Sequence, residues 1–527
     1  MTSDRQSSWP RAIFLSAALC AASVHGASQD AGSSLPTEDP PQTTLHPMLA
    51  ETIAAGPYDA RWASLVRHPL PAWFTNDKIG LSAHWGPYAV PGWTARKDSP
   101  YGVAYAEWYR VWIDNNPAVR QYHADTYGSV PYDDFFDGTR NLVTGEIDRY
   151  DAASFDADAW MRLFQRSGVK YFFITAKHHD GFCLWDTAYT DRNAAKTGPR
   201  RDLLRELVDA ARRHGIRIGF YYSFYEWHNP YYTGDRDAPY AGLTELGDED
   251  GDGVPGEYVD DFMIPQIKEL IDEFHPDYLC FDGEWDHGYP WWRARQVIAY
   301  YYNQAARRGQ QVVINDRFGQ AKEGVSDTRG VYGDFFHVEY VADIDRSKPW
   351  AMWRGFGNSY GYNRNEPREN ILTVAETIRL MVDVVADNGN VEFNLGPKAD
   401  GTLAAFEVER LEAMGRWLAV NGQAIYGTTK SPLGRPEGFR FTHRAATNRL
   451  YVLIESWPED GVLEIPQLVN EVTSAVAVAD GGSIAFDRPE HGGVRLRLPE
   501  EPIDPFVSVV AIDYVGELVA PGADLGE

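Results

Sequence analysis

Cysteine is scarce in this chain, and its scarcity excludes a disulfide framework. The 527 residues contain three cysteines, at positions 20, 183 and 280. Cys20 lies in an N-terminal apolar run that we expect to be removed. Cys183 and Cys280 lie in apolar, strand-like contexts, where a free cysteine behaves as a small buried hydrophobe. At most one disulfide remains, so the chain must depend on a sizeable hydrophobic core, for which its length is sufficient.

Basic residues are also few relative to acidic ones. The chain has 49 Lys and Arg against 76 Asp and Glu, which gives a formal net charge of −27. Such a protein repels polyanions, so nucleic acid and anionic membrane surfaces are excluded as favoured partners. A neutral substrate fits this charge best. Acidity that only keeps a secreted protein in solution is the alternative explanation.

Long apolar runs are missing except at the N-terminus. Arg5 and Arg11 precede an apolar stretch over 12–24, and small residues then allow cleavage before Ala27. The stretch is too short to cross a bilayer, so it predicts a signal peptide over 1–26 and a secreted or periplasmic protein. No other stretch predicts a membrane span. Residues 27–56, rich in Ser, Thr, Pro and Gln, are expected to form a flexible leader.

Helices and buried strands alternate over residues 57–428. Each unit has an amphipathic helix, a Gly or Pro stop, a short apolar strand and polar or aromatic residues after it. About eight such units predict a (β/α)8-like, TIM-type barrel, irregular near 335–354 where the units are weak. An open Rossmann-type sheet is the alternative, but no strand is followed by Gly-x-Gly-x-x-Gly. The predicted strands are 79–83, 170–175, 216–222, 278–281, 312–314, 335–340, 350–354 and 391–394.

The pattern changes at about residue 429. Short β-rich runs occur at 450–455, 461–465, 475–479, 494–498 and 507–514, without helical periodicity. They predict a small C-terminal antiparallel β-sandwich over 429–527. A carbohydrate-binding module and a lid packed on the barrel are both compatible with it, and the lid is the simpler interpretation.

Polar residues that follow the predicted strands are the candidates for chemistry. Asp282 follows a short run that contains no polar residue, and barrel enzymes keep their catalytic groups at the carboxyl ends of strands. Asp-Gly also caps loops and helices, so this position alone does not decide the matter. The full set of candidates is His84, Glu107, His178, His179, Asp282, Arg317 and Glu339.

A metal site is one interpretation of these residue types. Against it, Trp85 stands next to His84 where a barrel metallohydrolase would have a His-x-His pair. His178 and His179 would also point to opposite faces of an extended strand. We favour neutral imidazoles, an arginine and tryptophan rings that hydrogen-bond and stack on a polyhydroxylated ligand. For each histidine taken singly, a place in the core is the simpler explanation.

Eight short motifs occur along the chain in one order. They are Trp73-Phe74; Ile79-Gly80-Leu81 with His84-Trp85-Gly86; Glu107-Trp108-Tyr109; Ala176-Lys177-His178-His179-Asp180-Gly181-Phe182; Tyr221-Tyr222-Ser223; Phe281-Asp282-Gly283; Asn315-Asp316-Arg317; and Gly389-Asn390 with Asn394-Leu395-Gly396-Pro397. In this order, over about 58–427, they resemble the α-L-fucosidases of glycoside hydrolase family 29. The resemblance implies a retaining exo-hydrolase that removes terminal α-linked L-fucose from oligosaccharides or glycoconjugates without a cofactor.

The same resemblance implies roles for individual residues. Asp282 would be the nucleophile that forms a covalent fucosyl-enzyme intermediate. Glu339 would be the acid/base, with Glu284 and Asp334 as fallbacks, because a retaining mechanism needs a second carboxyl group about 5–5.5 Å away. Arg317 would lie beside the reaction centre. The fucose pocket would be lined by His84, Glu107, Trp108, His178, His179, Tyr222 and Tyr360.

Two positions depart from the family pattern. Cys280 stands where many relatives have Trp, and Ala351 stands where many have Glu. Both leave the nucleophile intact but put leaving-group specificity in question. The alternatives are a related exo-glycosidase with a changed glycone or linkage preference and a catalytically silent sugar-binding protein. Retention of both Asp282 and Glu339 disfavours the silent protein.

One acidic motif lies outside the family pattern. Asp248, Asp250 and Asp252 alternate and are followed by Gly253, as in the first half of a calcium loop. The position for a bidentate Glu is occupied by Val259, although two aspartates follow it. We hypothesise a structural calcium site here, and a solvated acidic loop is the alternative.

Overall fold

The structure is a computed structural model that describes residues 44–96, 105–233, 258–285, 287–318, 333–340, 349–490 and 492–518. The predicted signal peptide and the acidic motif with Asp248, Asp250 and Asp252 lie outside the described residues. Within the described ranges, every helix is too short or too polar to cross a bilayer.

Eighteen strands and thirteen α-helices build the described chain. The strands are β1 (Ile79–Ala83), β2 (Thr139–Arg140), β3 (Ile147–Asp148), β4 (Tyr171–Lys177), β5 (Arg217–Ser223), β6 (Tyr278–Asp282), β7 (Val313–Ile314), β8 (Phe336–Glu339), β9 (Trp350–Gly355), β10 (Gly389–Leu395), β11 (Thr429–Lys430), β12 (Phe439–Arg444), β13 (Arg449–Ile454), β14 (Val462–Ile465), β15 (Val472–Ala477), β16 (Ala485–Asp487), β17 (Val494–Arg497) and β18 (Ser508–Tyr514).

The helices lie mainly between the strands of the larger sheet. They are α1 (Pro47–Ala55), α2 (Trp62–Leu65), α3 (Ala72–Asp77), α4 (Tyr109–Asn115), α5 (Pro117–Tyr127), α6 (Asp134–Asp137), α7 (Ala157–Arg166), α8 (Leu203–Arg213), α9 (Pro230–Thr233), α10 (Ile264–Phe274), α11 (Ala294–Arg308), α12 (Val374–Ala386) and α13 (Ala405–Asn421). A π-helix, Tyr258–Met263, precedes α10, and 3₁₀ turns lie at Pro87–Ala89, Ala106–Trp108, Arg368–Asn370, Gly422–Ala424 and Ala445–Thr447.

The larger sheet has eight strands in the order β7-β6-β5-β4-β1-β10-β9-β8. All neighbouring pairs in it are parallel. β4 is buried along its whole length, as expected of a strand covered on both faces. The helix α8 buries Leu204, Leu207 and Ala211 on one side, and Asp202 caps it by accepting a hydrogen bond from the Arg205 amide. The prediction of a (β/α)8-like barrel is confirmed.

The barrel is irregular where its two edge strands meet. Within the described ranges no ladder joins β7 to β8, and β7 has only two residues. Single hydrogen bonds connect them instead: the Asp334 amide donates to the Ile314 carbonyl at 3.0 Å, and the His337 amide donates to Asp316 Oδ1 at 3.0 Å. The irregularity expected near 335–354 is therefore located at the closure of the barrel.

The expected flexible leader extends too far along the chain. Residues 47–55 form α1, whose Leu49 and Ile53 are buried and whose first turn is capped by the His46 side chain. The two apolar residues are four positions apart and therefore share one helix face, which packs on α11. The expectation was wrong here because it rested on the composition of residues 27–56 as a whole, which is rich in Pro and Thr. The short amphipathic segment at the end of this range was not separated from it.

The C-terminal region is an antiparallel β-structure of two sheets. One has the order β11-β12-β13-β18-β15 and the other the order β14-β17-β16. Aliphatic side chains such as Leu450, Ile465 and Leu496 form a core between them. Trp417 on α13 donates to the Val507 carbonyl at 3.0 Å and so joins this region to the barrel. Cys183 and Cys280 are both buried and free, so neither forms a disulfide.

Candidate active site

Asp282 ends β6 inside the barrel mouth and is buried. Its Oδ2 accepts a hydrogen bond from the Tyr221 hydroxyl at 2.7 Å, and its Oδ1 accepts one from Arg317 Nη1 at 2.7 Å. Burial by itself raises the pKa of this carboxyl, but the charge of Arg317, the neighbouring His179 and these hydrogen bonds together lower the pKa below its ordinary value. Asp282 is therefore an oriented carboxylate at neutral pH.

Arg317 connects Asp282 to Glu339. Its Nη2 donates to Glu339 Oε1 at 2.7 Å, and the Tyr360 hydroxyl donates to Glu339 Oε2 at 3.2 Å. The Glu339 side chain is 32% exposed, whereas that of Arg317 is 6% exposed. One guanidinium fork therefore holds a buried carboxylate and a solvent-facing one, an arrangement that suits the close pair, about 5–5.5 Å apart, of a retaining glycosidase.

The two fallback carboxylates differ in position. Asp334 is used structurally, because it accepts hydrogen bonds from the Tyr302 hydroxyl at 3.0 Å and the Ile314 amide at 2.9 Å and contacts His68 Nδ1 at 2.9 Å. Glu284 is buried two residues beyond Asp282 and interacts electrostatically with Arg317. Of the two, Glu284 alone belongs to the site.

Three buried histidines line the pocket next to Asp282. Burial lowers the pKa of His84 to about 4 and that of His179 to about 3, and it lowers the pKa of His178 well below its ordinary value. All three imidazoles are consequently neutral near pH 7. The His84 and His178 rings lie 5.3 Å apart and the His178 and His179 rings 4.1 Å apart, between centroids. The two neighbouring histidines thus share one pocket, because β4 ends before them.

Two hydrogen bonds set the tautomers of two of these histidines. Ser223 donates its hydroxyl proton to the Tyr225 carbonyl at 2.8 Å, so it accepts from His179 Nδ1 at 2.5 Å. Asn394 Oδ1 likewise accepts from His84 Nδ1 at 2.8 Å. In both rings Nε2 is left as an acceptor, which suits a sugar hydroxyl.

Aromatic rings form the floor and one wall of the pocket. Tyr360 lies 4.7 Å from Trp353 and 5.1 Å from His84, and both aromatic residues are almost fully buried. On the other side, Trp108 meets His179 edge to face at 5.4 Å and Trp227 at 5.3 Å. Flat amphipathic rings of this kind stack on the apolar faces of sugars.

Glu107 is a buried carboxyl at the edge of the same pocket. Its Oε2 accepts from the Gly361 amide at 2.7 Å and from the Ser359 hydroxyl at 3.2 Å. Burial raises the pKa of Glu107 to about 7, although these hydrogen bonds partly offset the effect. The contact fastens the segment after β9, which includes the floor residue Tyr360, to the pocket.

Tyr222 does not line this pocket, and the expectation for it is corrected. Its hydroxyl donates to Gln266 on α10 at 2.8 Å, and Lys177 Nζ lies 4.5 Å from its ring centroid. Side chains alternate along a strand, and Ser223 pairs in register with Asp282, so residue 221 rather than 222 faces the barrel interior. The other expected pocket residues (His84, Glu107, Trp108, His178, His179, Arg317 and Tyr360) lie around Asp282 and Glu339.

Several residues of the site were not identified from the sequence. Tyr221 donates a hydrogen bond to Asp282, Ser223 and Asn394 orient histidines, and Trp353 forms the floor. The alternation of side chains along a strand could have identified Tyr221 and Ser223. Ser223 pairs in register with Asp282, so both β5 residues point to the same face of the sheet as Asp282 on β6. The two departures from the family pattern, Cys280 and Ala351, lie buried in the same interior cluster below the site.

Across the described ranges, no group of three His, Cys, Asp or Glu side chains has the arrangement of a metal site. Asp248, Asp250 and Asp252 are not among these residues.

Comparisons with known proteins agree on one family. The α-L-fucosidase family model matches residues 46–423. The plasma α-L-fucosidase of Homo sapiens is 30% identical over 461 residues, covering 84% of this chain and 89% of that protein. The α-L-fucosidase of Dictyostelium discoideum is 29% identical over 476 residues, covering 88% of this chain and 93% of that protein.

A solved structure is similar as well. The Thermotoga maritima α-fucosidase in complex with fucose superposes with a TM-score of 0.71 at 33% identity, covering 86% of this chain and all of that one. Sequence, fold and the paired carboxylates around Arg317 agree, and the chain belongs to the α-L-fucosidase family of glycoside hydrolases.

Proposed function

We propose that this protein is a retaining exo-α-L-fucosidase that releases terminal α-linked L-fucose from oligosaccharides or glycoconjugates. One observation carries the proposal: Arg317 holds Asp282 and Glu339 by two nitrogens of one guanidinium, beside a pocket of neutral histidines and tryptophans. Family membership supports the choice of fucose. The closed floor of Trp353 and Tyr360 supports removal of an end residue.

In the first step Asp282 Oδ attacks the anomeric carbon of fucose. A carbon–oxygen bond forms to the carboxylate while the bond to the leaving oxygen breaks, and protonated Glu339 gives its proton to that oxygen. The product is a fucosyl ester on Asp282. Tyr221 and Arg317 hold the attacking carboxylate in one orientation, which lowers the entropic cost of reaching the transition state.

In the second step water replaces the enzyme at the anomeric carbon. Glu339, now a carboxylate, takes a proton from water, whose oxygen forms the new bond as the ester to Asp282 breaks. The ligand-free contacts to Arg317 and Tyr360 describe this carboxylate form of Glu339. Two inversions give net retention.

The experiment is hydrolysis of an aryl α-L-fucoside by the wild type, Asp282→Ala and Glu339→Ala, with azide rescue. We expect Asp282→Ala to lose turnover and azide to restore it as a β-fucosyl azide. We expect Glu339→Ala to be rescued to an α-fucosyl azide. Glu284→Ala is assayed in the same way, and its rescue to an α-fucosyl azide instead of that of Glu339→Ala would move the acid/base role to Glu284.

A panel of other aryl glycosides tests the alternatives. A wild type that cleaves another glycoside but not the fucoside would support the changed glycone preference raised by Cys280 and Ala351. A wild type that binds fucose and cleaves nothing would support the silent sugar-binding protein.

The proposal includes no cofactor for catalysis, since nucleophile and acid/base both come from the chain; full activity after chelation is the expected result. The structural calcium site at Asp248, Asp250 and Asp252 stays a hypothesis from the sequence. Calorimetry on chelated protein tests it, and an absence of both heat and a change in melting temperature would overturn it. The predicted signal peptide supports a secreted or periplasmic location, which fractionation of cells that express the full chain would test.

A further inference from the structure

Trp285 is the one tryptophan of the described residues whose side chain is exposed. It is 39% exposed, whereas the other described tryptophans are buried or partly buried. A single exposed apolar residue is ordinary, whereas a contiguous exposed apolar surface marks a binding site, so the neighbours of Trp285 decide its meaning. Trp285 lies at the rim of the pocket, with ring centroids 5.4 Å from both His179 and Tyr225.

The ring of Trp285 continues a strip of tryptophans. Trp108 lies 6.1 Å from it with an interplanar angle of 32°, and Trp112 lies 5.6 Å from Trp108 at 28°. The three rings thus form a continuous aromatic cluster in which neighbouring rings are tilted by about 30°. The exposed part of the Trp285 ring offers a flat apolar surface on which a pyranose ring stacks.

The loop that carries Trp285 is held firmly against β5. Gly283 has a φ of +76°, and a Cβ there would lie 2.5 Å from Tyr225 Cβ. The Phe224 amide donates to the Asp282 carbonyl at 2.8 Å, which joins the same two segments. Trp285 is therefore fixed at a set position relative to Asp282, as a binding platform must be.

The side on which the pocket is open to solvent indicates which part of the substrate contacts Trp285. The floor residues Tyr221, Trp353 and Tyr360 are almost fully buried. Glu339, which protonates the leaving oxygen, is 32% exposed, so the pocket opens on the side of the leaving group. A sugar attached to fucose must leave the pocket through this opening. Among the described aromatic residues around the pocket that are not fully buried (Tyr105, Trp108, Trp285 and Tyr340), Trp285 is the most exposed.

We propose that Trp285, backed by Trp108 and Trp112, forms a second sugar subsite that stacks on the pyranose from which fucose is released. Its ligand is a neutral sugar, because the carboxylates of Asp282, Glu284 and Glu339 all surround the Arg317 guanidinium in the described part of this mouth, and their excess negative charge would repel an anionic sugar. This inference rests on the proposed function and adds to it the chemical class of the leaving group.

The test compares two substrates on Trp285→Ala and Trp285→Phe. One is α-L-fucosyl fluoride, whose leaving group is no sugar, and the other is the fucosyl disaccharide that the wild type cleaves best. For Trp285→Ala we expect kcat/KM to fall about 10-fold or more on the disaccharide and by less than about twofold on the fluoride. Trp285→Phe keeps a flat ring and should regain most of the loss. Phe486→Ala, 37% exposed in the C-terminal sheet, is the matched control and should change neither.

Each other outcome overturns a defined statement. An equal loss on both substrates would place Trp285 in the fucose pocket, and no loss on the disaccharide would place the leaving sugar elsewhere. Both overturn the second subsite and leave the fucosidase intact. A wild type that cleaves neither substrate overturns the proposed function, and the second subsite with it.

Discussion

An ion pair at the barrel mouth and an ion pair in the smaller C-terminal sheet differ strongly in their exposure to solvent. At the mouth, Asp282 and Arg317 are buried and paired through directed hydrogen bonds. In the C-terminal sheets, Arg497 and Asp487 pair across β17 and β16 with side chains 53% and 41% exposed. Burial of charge is costly. The buried pair therefore lies where catalysis requires it, and the exposed pair contributes to solubility instead.

The largest expected effect follows from removal of the guanidinium. Arg317→Met removes the cation that Asp282 and Glu339 share, and we expect kcat on an aryl fucoside to fall about 10³-fold or more. Arg317→Lys keeps the charge but has no fork to reach both carboxylates, so its loss should be smaller. Arg449→Met, which removes the partner of Asp513 in the C-terminal sheets, is the control. Equal kcat for Arg317→Met and wild type would contradict the bridging role.

The second-largest effect is expected for a buried ion pair behind the pocket. Lys177 Nζ donates to Glu226 at 2.8 Å, with side chains 0% and 1% exposed. Lys177→Met leaves a buried carboxylate without its partner, and we expect the free energy of unfolding to fall by about 3–5 kcal/mol in chemical denaturation. Adding Glu226→Gln should recover part of it. A double variant less stable than Lys177→Met would show that the charges are not coupled.

Glu107 provides a pH-dependent test. Its folded-state pKa, about 7, lies above the unfolded value of 4.5, so its contribution to stability is complete below about pH 4.5 and is lost as the pH rises through 7. Glu107→Gln removes this titration. As the pH rises from 4.5 to 8, the free energy of unfolding of the variant should therefore increase relative to that of the wild type by up to about 3 kcal/mol. A difference that does not change with pH would contradict the burial of an ionisable group here.

The smallest effect is expected for the exposed pair of the C-terminal sheets. A double-mutant cycle with Arg497→Met and Asp487→Asn should give a coupling energy below about 1 kcal/mol, since solvent screens both groups. A coupling as large as that of Lys177 with Glu226 would remove the contrast between the two regions.

Much of the fold could be predicted because buried parallel strands appear in the sequence as short apolar runs. β1 matches its predicted range of 79–83, and β6 and β9 differ from theirs by one residue. The helix α1 was missed because it was included in a longer range whose overall composition resembles a linker. The incomplete closure of the barrel between β7 and β8 was expected only as an irregularity, because hydrogen bonds between edge strands depend on tertiary geometry.

The candidate site was predictable where a residue follows a strand, as Asp282 does. It was not predictable where the alternation of side chains along a strand decides which residue faces the pocket, as for Tyr221 and Tyr222. Nor does the sequence show that Lys177 and Glu226 meet, since they lie on neighbouring strand ends and neither spacing nor composition joins them. Such pairings arise from how the strands align across the sheet.

The position of β1 in the sheet has a consequence for how the chain reaches its native state. β1 pairs on one side with β4 and on the other with β10, in a register that joins Ile79 to Val391. Almost the whole barrel must be synthesised before the second edge of β1 can find its partner, and such distant contacts slow folding. During synthesis, that edge is an exposed strand able to pair wrongly, so the first strand to be made is among the last to be protected.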